Sequence, residues 1–245
     1  MQEETSRRQY SVENVQNMAA NLAHDMRNTL VTLSLGLQYL EKILGPEGRH
    51  RETLQRLQRQ VDRLNQIVDR FLAFSCPPKL ATTSCDVTKV LEKAIKSWEN
   101  DLTAQGIQVH RDYAQNIGEL YLDAEQMEQV FGGLISNAID AMPDGGHLYL
   151  RAYAIPLEQS PSQSSARPEE APAGEVVVQV EDTGTGIPPE ITERIFEPFF
   201  TTKPKSLGLG LTIAQQIVEA HGGCISAQNE PGQGATFTIN LPRRV

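Results

Sequence analysis

The 245 residues are 39% apolar and 22% charged, enough for one or two globular domains, and with only 6% aromatics their packing should be aliphatic. No run approaches the roughly 18 to 20 unbroken apolar residues of a membrane span, no basic-then-apolar leader opens the chain, and three cysteines without CxxC spacing (Cys76, Cys85, Cys224) argue against a disulfide framework or zinc site and for a reducing, cytoplasmic setting. The net charge of −9 is uneven, with 11 basic and 9 acidic residues in 1–80 but 11 and 22 in 81–245, a surface ill suited to nucleic acid.

From Val12 to Leu44 apolar residues recur at alternating steps of three and four, the seam of a long helix. Gly45-Pro46 stops it, because glycine permits a left-handed cap and proline cannot continue the ladder. Leu54, Leu57, Val61, Leu64, Val68 and Phe71 repeat the pattern, so the two helices form an antiparallel hairpin. One hairpin cannot bury both stripes, which predicts dimerisation into a four-helix bundle. A polar lead-in (1–10) precedes this module (11–76), and a linker follows from Cys76-Pro77-Pro78 (77–84).

From about Cys85 helices and strands alternate, predicting an α/β sandwich over 85–245. A helix is expected over 87–104 and short strands over 107–110 and 119–122. Asp123, with Gln126 three residues later, marks a capping-box start for a helix ending near Met142. Strands follow over 147–155 and 175–181, then a helix from Leu209 to His221 and strands over 224–228 and 235–241. Pro156 to Gly174, with four prolines and four serines, reads as a disordered hairpin tip.

Several residues carry chemical interest. On the seam set by Leu22 and Met26, His24 takes the outermost position, followed by Asp25, with Asn28 one turn on. A solvated helix face and a nucleophilic imidazole, its other nitrogen held by Asp25, are both compatible with that pattern. Asp182-Thr183-Gly184-Thr185-Gly186 follows a buried-type strand, Gly208-Leu209-Gly210-Leu211 opens a helix, and Gly232-Gln233-Gly234 enters the last strand. Glycines admit close backbone approach and helix N-termini suit phosphate. Neither a Walker loop nor a dinucleotide fingerprint is present, so a nucleotide site must be of another kind. Asn137 lies beside the apolar stripe Met127, Val130 or Phe131, Leu134, Ala138 and Met142, and its side-chain oxygen is of the kind that ligates Mg²⁺. Asp140 reads as a surface charge.

Together these segments resemble the sensor histidine kinases of two-component signalling, with their Bergerat-type ATP-binding domain. His24-Asp25-Met26-Arg27-Asn28 is similar to the H-box, Asn137-Ala138 to the N-box, and Asp182 to Gly186 to the G1 box. Phe196 to Lys203 resembles the F-box, Gly208 to Leu211 the G2 box, and Gly232 to Phe237 a G3-like segment. The Thr201-Thr202-Lys203-Pro204 stretch looks like that of the nitrogen-regulation subgroup. The resemblance covers about residues 11–242.

It implies that His24 is the phosphoacceptor, Asp25 its acid/base partner and Asn28 the residue that positions water for dephosphorylating a response regulator. It implies ATP and Mg²⁺, with Asn137 on the metal, Asp182 on adenine and Gly184, Gly186, Gly208 and Gly210 shaping the pocket. Thr202, Leu209 and Thr236 join the nucleotide-binding set, and Lys203 or Lys205 supplies cationic help. A homodimer and a receiver-domain partner follow, with no membrane contact by this chain. The chain departs from the family pattern at Thr29, where many members have proline, and at Gly133, Ser206-Leu207 and Ala235. A nucleotide-binding scaffold without phosphohistidine, and a gyrase- or Hsp90-type ATPase, are the rival readings. The two modules fill nearly all of the chain, leaving about ten polar residues ahead of the hairpin and no room in it for a sensor.

Overall fold

The computed structural model describes residues 26–27, 29–43, 50–75, 79–115, 117–156, 174–203, 206–230 and 233–243. It divides into two compact units, one ending at Pro77 and the other starting at Pro78.

In the first unit, helix α1 (29–43) packs on helix α2 (His50–Ser75). Leu30, Val61 and Val68 are buried at their interface, with Leu37 and Leu72 packed against them. The Arg27 guanidinium pairs with Asp69, which sets the beginning of one helix beside the end of the other, an antiparallel hairpin. Only one edge of the heptad seam is covered. Leu33 and Leu40 on α1, and Leu57 and Leu64 on α2, each pair seven residues apart, remain 42–51% exposed. The turn expected over Gly45 to Gly48 lies outside the described residues.

The second unit begins with β1 (Thr83–Cys85), antiparallel to β3 (Leu120–Leu122). Thr83 and Ser84, read as linker from sequence, are therefore strand residues of this unit, held by backbone pairing that a three-residue segment does not advertise. A five-stranded sheet follows in the order β2 (Ile107–Tyr113), β4 (Gly146–Pro156), β5 (Gly174–Asp182), β7 (Gly234–Arg243), β6 (Cys224–Glu230). β2 and β4 run parallel and the remaining neighbours antiparallel. Helices α3 (Val87–Ser97), α5 (Ala124–Ala141) and α6 (Gly210–Ala220) form the second layer. Leu148, Leu150, Val176, Val178, Val180, Ile239 and Leu241 from the strands, and Met127, Phe131, Leu134 and Val218 from the helices, are almost fully buried between the layers. This is the two-layer α/β sandwich read from the alternation of elements.

The helix expected over 87–104 is two. It breaks at Trp98 (φ −110°, ψ 7°), whose N–H turns back to the Ile95 and Lys96 carbonyls before α4 (Glu99–Ala104) starts. The break lets Ile95 and Leu102 both be buried. At the start of α5 Asp123 caps as expected, accepting the Gln126 N–H at 3.1 Å. The reciprocal half of the capping box is replaced: the Asp123 N–H donates to His221 Nε2 at 2.9 Å, so His221 carries its proton on Nδ1 and donates it to the Ile217 carbonyl at 2.8 Å. One buried imidazole thus ties the end of α6 to the beginning of α5. Between β4 and β5 the flanking Pro156 and Gly174 pair directly, while residues 157–173, expected as a disordered tip, lie outside the described residues.

Candidate functional site

The C-terminal part of α5, the segment after β5, residues 200–203 and the start of α6 enclose a cleft of about 330 Å³. Asn137, Asp140, Asp182, Gly186, Thr202, Lys203, Gly208 and Gly210 all line it. The sequence separates these residues by more than seventy positions, and the sandwich brings them to one end of the sheet.

Asp182 ends β5 and is buried, 3% exposed. Its Oδ1 accepts the Gly184 N–H at 2.8 Å. Burial pushes its carboxyl above the usual carboxylate range, against the amides of Gly184 and Ala235, which hold it down. A carboxylate that is costly to ionise and partly satisfied is suited to a ligand donor. Beyond it the chain has glycine where the backbone requires it. A Cβ on Gly184 would collide with the Ala141 carbonyl, and Gly186 has φ +70°. The Thr185 N–H donates to the same Ala141 carbonyl at 3.1 Å, docking the segment on the end of α5. Asn229 of β6 then grips Ile187 from both sides: its Oδ1 accepts the Ile187 N–H at 2.6 Å and its Nδ2 donates to the Ile187 carbonyl. Ile187, Ile191 and Phe237 give the cleft an apolar wall on which a flat base can lie.

The opposite end is polar. Helix α6 has Leu209 at its N-cap position with no side-chain capping bond, so its first amides lack a side-chain acceptor, and Gly210 and Leu211 line the cleft. A Cβ on Gly210 would meet nothing of the protein within 4 Å, so the fold itself does not demand glycine there and the space is open to a ligand. Gly208 differs: it has φ +66° and a Cβ would run into the backbone of Phe199 and Phe200. Lys203 reaches across to α5, its Nζ donating to Asn137 Oδ1 at 3.1 Å and to Asp140 Oδ2 at 2.5 Å. Its own N–H donates to Thr201 Oγ1 at 3.0 Å.

These donors fit a magnesium–triphosphate group. Asn137 Oδ1 is a hard oxygen that already faces a cation, and among the described residues no cluster of three or more His, Cys, Asp or Glu forms a self-sufficient metal cage. That is the situation in which Mg²⁺ takes one or two protein oxygens and completes its shell with phosphate and water.

Three residues assigned to the nucleotide from sequence lie off the cleft lining. Gly184 acts one step behind it, through its approach to Ala141. Leu209 is 1% exposed because its side chain enters the core at the helix start. Thr236 points to the other face of the sheet: strand alternation turns Ala235 and Phe237 into the cleft and leaves Thr236 opposite Glu181 and Gln228. His24, Asp25, Asn28 and Lys205 lie outside the described residues. Two participants were not anticipated. Asp140, read as a surface charge, is Lys203's counter-ion, and its spacing of three from Asn137 on one helix face was the available signal. Asn229 carries no such signal, because its partner is a backbone.

A helical hairpin followed by this sandwich, with an Asp-Gly-x-Gly segment, a helical asparagine and a glycine-led helix around one cleft, defines the histidine-kinase type of ATPase. Residues 122–245 match the family model of the histidine kinase-, DNA gyrase B- and HSP90-like ATPases, and residues 14–78 match the His Kinase A (phospho-acceptor) domain. The sensor kinase CckA of Brucella abortus is 34% identical over 231 residues, 93% of this chain and 24% of that protein. The sensory histidine kinase/phosphatase NtrB of Escherichia coli O157:H7 is 32% identical over 231 residues, 93% of this chain and 62% of that protein. Among solved structures, the histidine kinase ThkA in complex with the response regulator protein TrrA superposes with a TM-score of 0.61 at 25% identity, covering 98% of this chain and 65% of that one. The chain belongs to the sensor histidine kinases. It spans about a quarter of the length of CckA and less than two thirds of NtrB. No helix among the described residues is long and apolar enough to cross a membrane.

Proposed function

We propose that this chain is an ATP-dependent protein-histidine kinase core that phosphorylates itself on His24 and passes the phosphoryl group to an aspartate of a response-regulator receiver domain. The observation that carries the reading is the cleft: a buried carboxylate at one end, and Asn137, Lys203 and an uncapped helix N-terminus at the other, in a chain whose residues 14–78 match a phospho-acceptor model.

Asp182 accepts a hydrogen bond from the exocyclic amine of adenine, and the apolar wall covers the base. The amides that begin α6, and Lys203, face the phosphates. Magnesium, held through Asn137, supplies neutralisation of phosphate charge. The neutral imidazole of His24 attacks the γ-phosphorus; the new P–N bond forms as the bond to the bridging oxygen breaks, and ADP departs with that electron pair. Asp25 holds the other ring N–H and stabilises the cation that forms. In the second step the receiver carboxylate attacks the same phosphorus, the P–N bond breaks and the imidazole is restored.

We assign the phosphotransfer and dimerisation module to 11–76, after the 1–10 lead-in, and the ATP-binding domain to the unit that includes β1 from Thr83 and runs to 245. The exposed Leu33, Leu40, Leu57 and Leu64 support a homodimer that closes a four-helix bundle. Asn28 positions water for dephosphorylation of the partner, a role in keeping with the name kinase/phosphatase carried by NtrB. A cytoplasmic setting for the reaction is in keeping with three cysteines that lack the spacing of a disulfide framework.

Incubation of the full chain with ATP labelled in the γ-phosphate gives a phosphoprotein stable in alkali and labile in acid, absent from His24→Ala. Label that persists in His24→Ala overturns the assignment. Asn28→Ala should retain autophosphorylation and lose dephosphorylation of the phosphorylated regulator; unchanged dephosphorylation removes Asn28 from that role.

A further inference from the structure

The contact between Lys203 and α5 has a consequence for how metal and nucleotide enter. Asn137 and Asp140 stand three residues apart on one face of the helix, both lining the cleft, and the Lys203 ammonium bridges them at 3.1 and 2.5 Å. We propose that Asp140 is a positioning residue that holds Lys203 on Asn137 Oδ1, so that the lysine and the metal compete for one oxygen and metal–nucleotide binding must displace the lysine. This inference rests on the proposed ATP site and names a control element within it.

A divalent ion on Asn137 Oδ1 and an ammonium within 3.1 Å of the same atom would be like charges in near contact, so one must leave. The restraint is also weak enough to exchange. The Lys203 and Asp140 side chains are 42% and 52% exposed, and half-exposed pairs of this kind contribute little to stability. The lysine's backbone is meanwhile fixed by the Thr201 hydroxyl, which accepts the Lys203 N–H at 3.0 Å. Displaced from Asn137, the ammonium therefore remains within reach of the cleft, where the phosphates offer it a stronger anion than Asp140. Asp140 sets how readily that transfer occurs.

The test is calorimetric titration of ADP into the full chain across a series of Mg²⁺ concentrations, with wild type, Asp140→Asn, Lys203→Met and the double variant. The proposal predicts that Asp140→Asn tightens Mg·ADP by about two- to five-fold and lowers the Mg²⁺ concentration needed for half-maximal binding, as expected for loss of a half-exposed ion pair. In the Lys203→Met background the same substitution should have no effect, because there is no lysine to hold. Asp140→Glu, which keeps the charge, should restore wild-type Mg²⁺ dependence.

Equal tightening in both backgrounds would show simple repulsion between Asp140 and the phosphates and would overturn the proposal. A higher Mg²⁺ requirement in Asp140→Asn would make Asp140 a metal-shell residue and overturn it as well. Failure of the wild-type chain to bind ADP at any Mg²⁺ concentration strikes instead at the nucleotide site itself.

Discussion

Replacing Asp182 with asparagine isolates the chemistry of base recognition. The side chain is 3% exposed, and its Oδ1 accepts the Gly184 amide at 2.8 Å. Asparagine is nearly isosteric and can keep that bond through its carbonyl, so the turn has a means to survive. What changes is the other half of the group, where an acceptor becomes an N–H₂ donor directed at the exocyclic amine of adenine. A hydrogen bond to a charged partner contributes about 1.5–3 kcal/mol, so ATP should bind roughly 10- to 150-fold more weakly. The altered polarity also reverses a preference. Inosine triphosphate carries a carbonyl where adenine has its amine, which the wild-type carboxylate repels and the asparagine amide can serve. Titration of the two nucleotides into wild type and Asp182→Asn, with circular dichroism to confirm folding, measures both effects. A folded variant with unchanged ATP affinity and unchanged discrimination would refute the reasoning and reduce Asp182 to a turn residue.

Acid should remove nucleotide binding before it unfolds the second unit. Burial raises the Asp182 carboxyl, so its ionised form is lost on descending through a value above the ordinary carboxylate range, and because the folded-state value lies above the unfolded one, that protonation does not itself destabilise the fold. Asp86, held down chiefly by the Thr88 hydroxyl, and Asp123, held down chiefly by the Ala81 amide, contribute stability that is present above about pH 4 and lost only as pH falls through their lowered values. Parallel titrations of ADP affinity and circular dichroism should therefore separate, with affinity failing at the higher pH; coincident curves would contradict the assignment. Leu57→Lys with Leu64→Lys should convert a dimer to a monomer by light scattering while helix content persists, and a retained dimer would place the interface elsewhere. Asn229→Leu removes both hydrogen bonds on Ile187 and leaves two polar backbone groups short of partners, at a cost of about 1–3 kcal/mol each; ADP affinity should fall and the Ile187 amide should exchange faster, with neither change if Asn229 is a bystander.

How far the sequence foretold this structure depends on where each residue's partner lies. The stripe from Met127 to Met142 was legible because helix period alone decides which side chains enter the core, and every member named is buried. Gly186 and Gly208 were legible because a left-handed backbone or a close backbone approach restricts residue type locally. Trp98 was not, since the break between α3 and α4 serves packing of Ile95 and Leu102 against other elements. His221 replaced the expected Gln126 in the reciprocal cap across 98 positions of chain, and Asn229 reaches Ile187 across 42. Such contacts between a polar side chain and a distant backbone leave no periodic trace. Thr236 fails for a simpler reason: a motif read as a block ignores that neighbouring strand residues face opposite sides.

The most direct measurement of the central claim is the position of the transferred phosphoryl group. Tandem mass spectrometry of the full chain after incubation with Mg·ATP, with digestion kept alkaline to preserve phosphoramidate bonds, should locate it on His24. It should be strongly reduced in Asp182→Asn and Asn137→Ala. A phosphoryl group on serine, threonine or another histidine, or sustained ATP hydrolysis with no phosphorylated protein, would contradict the account.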